Sequence, residues 1–434
     1  MGGGSLFFIS PGTRGKSAYC NQVRGLATIL QQNGVSVVTT SNTVPSAFND
    51  NGVMNYPAGS DPYFSDIALE YFKEGGYNLV ITLMDTYRLS WMLKDENKEL
   101  LKKTLVYAPI DFPIDEAALA VNPILMKAPH VVVPSKWAYR QLSRVRKNVF
   151  YIPHGVIPTY RPVPLAKPNF RRAIGLPEDT FVVGSVAVNL GERKNLPGII
   201  EAFSIFAKTA YNAYLYMHTD PSPYDGKFPK AYEGLKYDLP RICRRYGVHD
   251  KVLFPEDTDY KRGQPEEAMA WFYSAFDVFI SMSYAEAFCL PLYEAQSCGT
   301  PVIAPDNTAQ TETVPLVDKS RWLVPMLSGT YTPLGRPEHQ PYSPVDIRGA
   351  VKHLIYAWRH RATIGEIGNQ SRVRVLQFRF DKVVKKYWLP LLNKLGVEFD
   401  MTEDVDLEHS DARLHGATVQ SGLDDEGYLE DAQL

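Results

Sequence analysis

A chain of 434 residues and 48.9 kDa exceeds the roughly 250–300 residues at which one hydrophobic core stops growing, so two domains are expected. With 45% hydrophobic and 22% charged residues, wholesale disorder, collagen-like repeats and disulfide scaffolds are excluded. The net charge of −2 hides a split, because residues 398–434 hold twelve acids against Arg413 alone, leaving 45 Lys/Arg against 36 Asp/Glu elsewhere.

In chain order, the N-terminus MGGGSLFFIS has neither the charged region nor the cleavable apolar stretch of a secretory signal, and misses the myristoylation pattern. Leu6–Ser10, Ser36–Thr40, Leu79–Leu83, Thr104–Tyr107, His130–Val133 and Val149–Ile152 are short apolar or β-branched runs, the pattern of parallel strands covered on both faces. A helix is predicted from Ser17 to Gln32, stopped by Asn33-Gly34. The proline-rich stretch 158–168 reads as an interdomain linker. The alternation then restarts, with strands predicted at Phe181–Val188, Ala213–His218, Val252–Phe254, Asp277–Ser281, Pro301–Ala304 and Trp322–Val324. Repeated βα units imply two doubly wound parallel sheets with a ligand cleft between them. A final amphipathic helix over Phe380–Leu395 is expected to be interrupted at Pro390. No stretch of about 18 apolar residues exists to span a membrane.

The acidic segment from 398 onward has few aromatics and no helical period, and reads as a disordered, solvating tail. The basic remainder suits contact with a polyanion (phosphorylated substrate, nucleic acid or anionic lipid), or is a scattered surface excess. Cys20, Cys243, Cys289 and Cys298 show no CxxC spacing, so a reduced, cytoplasmic protein is expected.

The most informative segment is FDVFISMSYAEAFCLPLYEAQSCGTPV, residues 276–302. A strand ends near Ser281, a loop carries Glu286, and Leu290-Pro291 opens a helix with proline in its favoured first turn. Glu294 follows one turn inside. Free amides at such a helix start suit a diphosphate, and a carboxylate one turn in can accept both hydroxyls of a ribose. Two glutamates at this spacing also occur for helix-dipole reasons alone.

The run EAFCLPLYEAQSCGTPVIA resembles the E-x7-E donor motif of retaining GT-B glycosyltransferases, the family 4 group. That resemblance implies two Rossmann-like doubly wound domains facing a central cleft. It also implies transfer of a sugar from a nucleotide-sugar, a UDP- or GDP-sugar, to an acceptor hydroxyl with retention and without a metal. It places Glu294 on the ribose, Glu286 on the transferred sugar, and the backbone of Ala287, Phe288, Cys289 and Leu290 on the diphosphate. Ala287 and Cys289 stand where the family usually has glycine, which narrows the sugar space.

AVNLGERKNL, residues 187–196, is similar to the family segment whose cations hold the departing diphosphate, implying that role for Arg193 and Lys194. An earlier family arginine is replaced here by Val188 or Asn189. SPGTRGKS, residues 10–17, is half a Walker motif, with Ser10 where its first glycine belongs. It compares better with the family's first glycine loop, making Gly12 and Gly15 cleft candidates, or plain turn glycines. VYAPIDFP, VVVPSKWAYRQL and YIPHGVIPTYRP resemble acceptor-domain segments. Asp111 stands where many relatives carry a site histidine. It would orient an acceptor hydroxyl, serve as a weak base, or only cap its loop. His154 reads as structural, and YMHTDP, residues 216–221, as part of the nucleotide pocket.

The expected division is 1–165 for the acceptor domain, 166–376 for the donor domain, 377–397 for a helix crossing back, and 398–434 for the tail. The acceptor stays open among a sugar, a lipid-linked group and a hydroxylated DNA base. Arg140, Arg144, Arg146 and Lys147 form a basic cluster or one solvated helix face. A nucleotide-sugar epimerase, phosphorylase or binding protein on the same fold is the rival class. Asp257-Thr-Asp259 and Asp404-Val-Asp406 match a short metal motif by spacing alone, and no metal site is expected.

Overall fold

Two parallel sheets, each flanked by helices, account for the described residues of the computed structural model. These are residues 4–399 apart from 16, 44, 223–235, 257–263, 314–321 and 329–342. The first sheet contains β1 (Ser5–Ile9), β2 (Ser36–Ser41), β3 (Phe48–Asp50), β4 (Val53–Pro57), β5 (Leu79–Leu83), β6 (Thr104–Tyr107), β7 (His130–Val133) and β8 (Val149–Tyr151). Its order is β3-β4-β2-β1-β5-β6-β7-β8, parallel except for the β3–β4 hairpin. That hairpin is absent from the sequence expectation. Its strands are only three and five residues long, and Asn51-Gly52 turns them with both residues at positive φ.

The second sheet contains β9 (Phe181–Val186), β10 (Ala213–His218), β11 (Val252–Leu253), β12 (Val278–Ile280), β13 (Val302–Pro305) and β14 (Leu323–Val324), ordered β11-β10-β9-β12-β13-β14. Every pairing in it is parallel. Both sheets reverse direction of growth beside their first strand, between β1 and β5 and between β9 and β12. Loops leaving the carboxyl ends of those strands diverge and leave a crevice.

The helix Ala18–Gln32 begins where expected, capped by Ser17, whose hydroxyl accepts the Cys20 N–H. It packs Val23, Leu26 and Leu30 against Leu6 and Phe8 of β1. The same core holds Phe380, Val384, Trp388, Leu389 and Leu392 from the C-terminal helical run, although that run is far away in sequence. The run is not broken at Pro390. It is helical over Phe380–Val383, widens to a π turn over Val384–Trp388, and resumes over Leu389–Lys394. Proline lacks an N–H and its ring crowds the carbonyl four residues back. Widening the preceding turn accommodates it without ending the helix.

The chain crosses between the sheets twice, near residues 152–165 and 376–380. The crossings touch: Val156 bridges Arg379, and the Val156 N–H donates to the Phe378 carbonyl at 2.7 Å. Phe380 wedges between Gly25 and Gly155, where a Cβ would come within 2.4 Å and 2.3 Å of its ring. Of the expected tail, Glu398 and Phe399 are placed: the Glu398 carbonyl accepts the Gly4 N–H, and Phe399 packs on the first core. Residues 400–434, including Asp404-Val-Asp406, lie outside the described residues, as does Asp257-Thr-Asp259.

Candidate active site

The loops after β9 and β12 are neighbours because those strands pair. The β9 loop turns through Gly191 (φ +67°) and Asn195 (φ 47°). The Asn195 side chain then accepts the Gly198 N–H and starts the helix Leu196–Phe206. Arg193 and Lys194 are thereby set just before a helix start, a poor place for cations unless something opposes the dipole. Glu286 does so from the β12 loop. That loop is pinned where the Tyr284 N–H donates to the Arg193 carbonyl at 2.8 Å and the Glu286 N–H donates to the Thr308 hydroxyl at 2.9 Å.

The Glu286 carboxylate takes the Lys194 ammonium on Oε1 at 2.5 Å and Arg193 Nη1 on Oε2 at 3.0 Å. Glu286 is buried. Burial alone would push its carboxyl up, but Lys194 and Arg193 outweigh it and hold the group at about 2. The same Arg193 nitrogen donates to the Ala285 carbonyl at 2.8 Å and lies 3.5 Å from Oδ2 of Asp111, which stands beyond the end of β6 in the other sheet. Asp111 is pushed above the usual carboxylate range by its enclosed setting, with Arg193 pulling the other way.

Two further groups join from the first sheet. Tyr19, at the start of the helix after the glycine loop, donates its hydroxyl to Asp85 at 2.7 Å. Asp85 lies just past the end of β5 and also takes the Tyr87 hydroxyl at 3.3 Å. Burial and the Asp85 charge push the Tyr19 phenol well up, so it remains a donor. Sequence reasoning missed both residues. The available signal was position, since Asp85 follows a strand at the reversal point of the sheet, where ligand groups collect.

Among the expected site residues, the fold brings Asp111, Arg193, Lys194 and Glu286 together. Glu294 is arranged otherwise. It lies in the helix Leu290–Ser297 and accepts the Tyr273 hydroxyl at 2.7 Å and a second hydrogen bond from Tyr160. Burial pushes its carboxyl up to about 7, against those two hydrogen bonds. Leu290 opens that helix, and Cys289 caps it in the left-handed conformation at φ 67°, a backbone that disfavours any side chain by about 1–2 kcal/mol. Ala287 precedes Phe288, which stacks on Tyr293 with centroids 4.1 Å apart and meets His154 edge-on at 5.2 Å.

His154 is held neutral at about 3 by burial, and its Nδ1 hydrogen-bonds the Tyr107 hydroxyl at 2.6 Å. Gly12 (φ +96°) and Gly15 (φ +136°) are filled around by first-domain atoms, Ser41 and Asn55 at one and Cys20 and Thr43 at the other. Glycine is needed there for backbone conformation and internal packing. In the 216–221 segment, Asp220 pairs with Lys236 at 2.9 Å and its carbonyl accepts Asn189. The basic cluster is not one helix face. The helix Lys136–Leu142 ends before Arg144, and Arg146 turns inward to the carbonyls of Leu125, Ala128 and Pro129. Among the described residues, no group of three or more His, Cys, Asp or Glu gathers as metal ligands, and no helix is long and apolar enough to cross a membrane.

Comparison with known proteins agrees with this architecture. Residues 166–325 match the family model described as Glycosyl transferases group 1. The D-inositol 3-phosphate glycosyltransferase 2 of Catenulispora acidiphila is 42% identical over 66 residues, 15% of this chain and 14% of that protein. The sucrose-phosphate synthase structure from Thermosynechococcus elongatus superposes with a TM-score of 0.68 at 20% identity, covering 91% of this chain and 99% of that one. The Anabaena HepE structure in complex with UDP and glucose gives 0.63 at 15% identity, over 91% and 100%. The catalytic domain of starch synthase IV from Arabidopsis thaliana, bound to ADP and acarbose, gives 0.62 at 13% identity, over 91% and 99%. The fold of this chain is GT-B.

Proposed function

We propose that this chain is a retaining, metal-independent glycosyltransferase that moves a hexosyl group from a UDP- or GDP-sugar to an acceptor hydroxyl, in the cytoplasm. The observation that carries the reading is the Glu286 carboxylate held ionised between Lys194 and Arg193, with Asp111 of the opposite sheet 3.5 Å from the same guanidinium. The match of residues 166–325, which hold Arg193, Lys194 and Glu286, to the Glycosyl transferases group 1 model supports it.

In this reaction the bond from the anomeric carbon to the diphosphate oxygen breaks, and the nucleoside diphosphate leaves with the electron pair. A bond from the acceptor oxygen to the same face of that carbon forms. Lys194 and Arg193 stabilise the charge that grows on the leaving diphosphate, the role a metal ion fills elsewhere. Glu286 orients the two cations and accepts hydroxyls of the transferred sugar. Asp111 orients the acceptor and takes its proton, a task suited to a carboxylate whose affinity for protons is raised. Glu294 takes the ribose hydroxyls once its tyrosine partners yield. Closing the two domains excludes water, the competing acceptor.

Release of nucleoside diphosphate from UDP-, GDP-, ADP- and dTDP-sugars, with EDTA present, tests the reading. Release from one donor, unaffected by EDTA and lost in Lys194→Met, is expected. Release that depends on added metal would remove the metal-independent scheme. Neither release nor thermal stabilisation by any nucleotide would sink the donor site altogether.

A further inference from the structure

Away from the Glu286 cluster, a cavity of about 330 Å³ opens where the two interdomain crossings run side by side. Val156, Tyr160 and Arg161 line it from the first crossing, Ser297 from the end of the helix that carries Glu294, and Arg372 and Arg379 from the approach to the second. Three arginines thus line one small space. The carboxylate beside them is Asp381, which takes Arg379 Nε at 3.0 Å. Arg372 uses its Nε on the Ser297 carbonyl at 3.2 Å. Arg161 is exposed and makes no hydrogen bond or ion pair with any described residue. Like charges gathered around one cavity repel unless an anion lies between them. Planar guanidinium forks match phosphate oxygens two at a time.

We propose that this hinge cavity is a second ligand site, which takes the phosphate group of a small phosphate monoester between Arg161, Arg372 and Arg379. Its volume lies at the small end of ligand sites, roughly 300–1,000 Å³, and suits a sugar phosphate or a bare phosphate better than a larger nucleotide. The site is built from both crossings, since Arg161 belongs to one and Arg379 to the other, and the two are already bridged through Val156. A phosphate that engages both restrains the hinge about which the sheets would close.

The site also reaches the helix of Glu294. Tyr160 lines the cavity and hydrogen-bonds Glu294, so a ligand that shifts Tyr160 alters how readily that carboxylate is released to a nucleotide. This coupling rests on the donor-site reading above, whereas binding in the cavity does not. By linkage, phosphate and nucleoside diphosphate would change each other's affinity by one common factor.

Calorimetric titration of the full chain with a hexose 6-phosphate, a nucleoside monophosphate and inorganic phosphate tests the proposal. Saturable binding of at least one is expected, and the tightest names the source of the phosphate. Arg161→Gln should weaken it by about tenfold or more, with the ligand-free melting temperature unchanged because Arg161 is exposed. Lys194→Met should leave it within about twofold. Binding lost in Lys194→Met but kept in Arg161→Gln would put the phosphate in the Glu286 cluster and overturn the site. So would no saturable binding of any probe, or equal weakening by Arg348→Gln, an exposed arginine in the helix Ile347–Arg359 that does not line the cavity, which would indicate diffuse attraction. Tyr160→Phe should keep phosphate binding but abolish its effect on nucleoside diphosphate affinity. If no nucleotide binds while Arg161-dependent binding persists, the donor reading fails and the hinge site stands.

Discussion

The Glu312 carboxylate, from the short 3₁₀ turn after β13, accepts the backbone N–H of Lys136 at 2.9 Å at the start of a helix in the first sheet's layer. It also accepts the Trp137 N–H. Two backbone donors that a helix leaves unpaired are thus satisfied from the opposite domain, which fixes the two layers relative to each other.

Glu312→Ala should therefore cost about 1–3 kcal/mol, the penalty for leaving such donors without their charged partner. Arg140→Ala, which removes only an exposed partner 3.9 Å from the same carboxylate, should stay within about 0.5 kcal/mol. Urea unfolding measures both. Small-angle scattering should show a larger radius of gyration for the first variant alone; equal effects from the two would dissolve the distinction.

Lys194→Met should reduce kcat by about 10²–10³, the usual effect of removing one preorganised charge donor from a leaving group. Steady-state release of nucleoside diphosphate reads this directly. An unchanged kcat with a raised KM would instead assign Lys194 to uniform donor binding.

Glu286 and Glu294 should give opposite pH signatures. Glu286 sits at about 2 against an ordinary 4.5. Its contribution is fully present above pH 4.5 and is lost as pH falls through 2, on the order of 3 kcal/mol in all. Glu294 is raised to about 7, so between pH 4.5 and 7 the folded state binds more protons than the unfolded one. Stability then falls by a similar amount across that window and levels off above it. Glu294→Gln should abolish the decline between pH 5 and 7, and Glu286→Gln the loss below pH 4.5. Denaturant midpoints at four or five pH values suffice, and parallel curves for wild type and Glu294→Gln would contradict the assignment.

Gly155→Ala would place a methyl 2.3 Å from the Phe380 ring and should cost about 1–3 kcal/mol by overpacking. Phe380→Ala alone should cost about 3–5 kcal/mol. The double variant should be less damaging than the sum by at least about 1 kcal/mol, since each change relieves the other. Additive losses would mean that the wedge does not exist in solution.

Much of this arrangement is legible in the sequence. The parallel strands declare themselves because both of their faces are buried, so that β5 is apolar but for Thr82 and Val131 to Val133 is an unbroken apolar run. Arg193, Lys194 and Glu286 are readable through two segments, residues 187–196 and the run that begins at Glu286, that resemble the donor loops of one family; that these loops follow paired strands shows only in the fold. Asp85 offers only its position after a strand as a signal, and Tyr19 none, since one aspartate after a strand looks like any loop aspartate until Tyr19 is folded onto it. The inward turn of Glu294 was equally hidden. It depends on Tyr160 and Tyr273, which lie more than a hundred and about twenty residues away and meet it only through packing. The hairpin at 48–57 is hidden because its strands are short and a buried Asn55 interrupts the apolar pattern of β4.

The placement of Phe380, Trp388 and Leu392 in the core built by β1 and the helix Ala18–Gln32 gives the molecule an order of assembly. The segment up to residue 152 lacks part of its own interior until the residues beyond 380 exist. The second sheet and its helices lie wholly between those two pieces. During synthesis the second sheet can therefore complete its packing first, while the earlier-made layer waits with apolar surface uncovered for its last strip of chain. An isolated fragment ending near residue 165 would keep that surface exposed and self-associate.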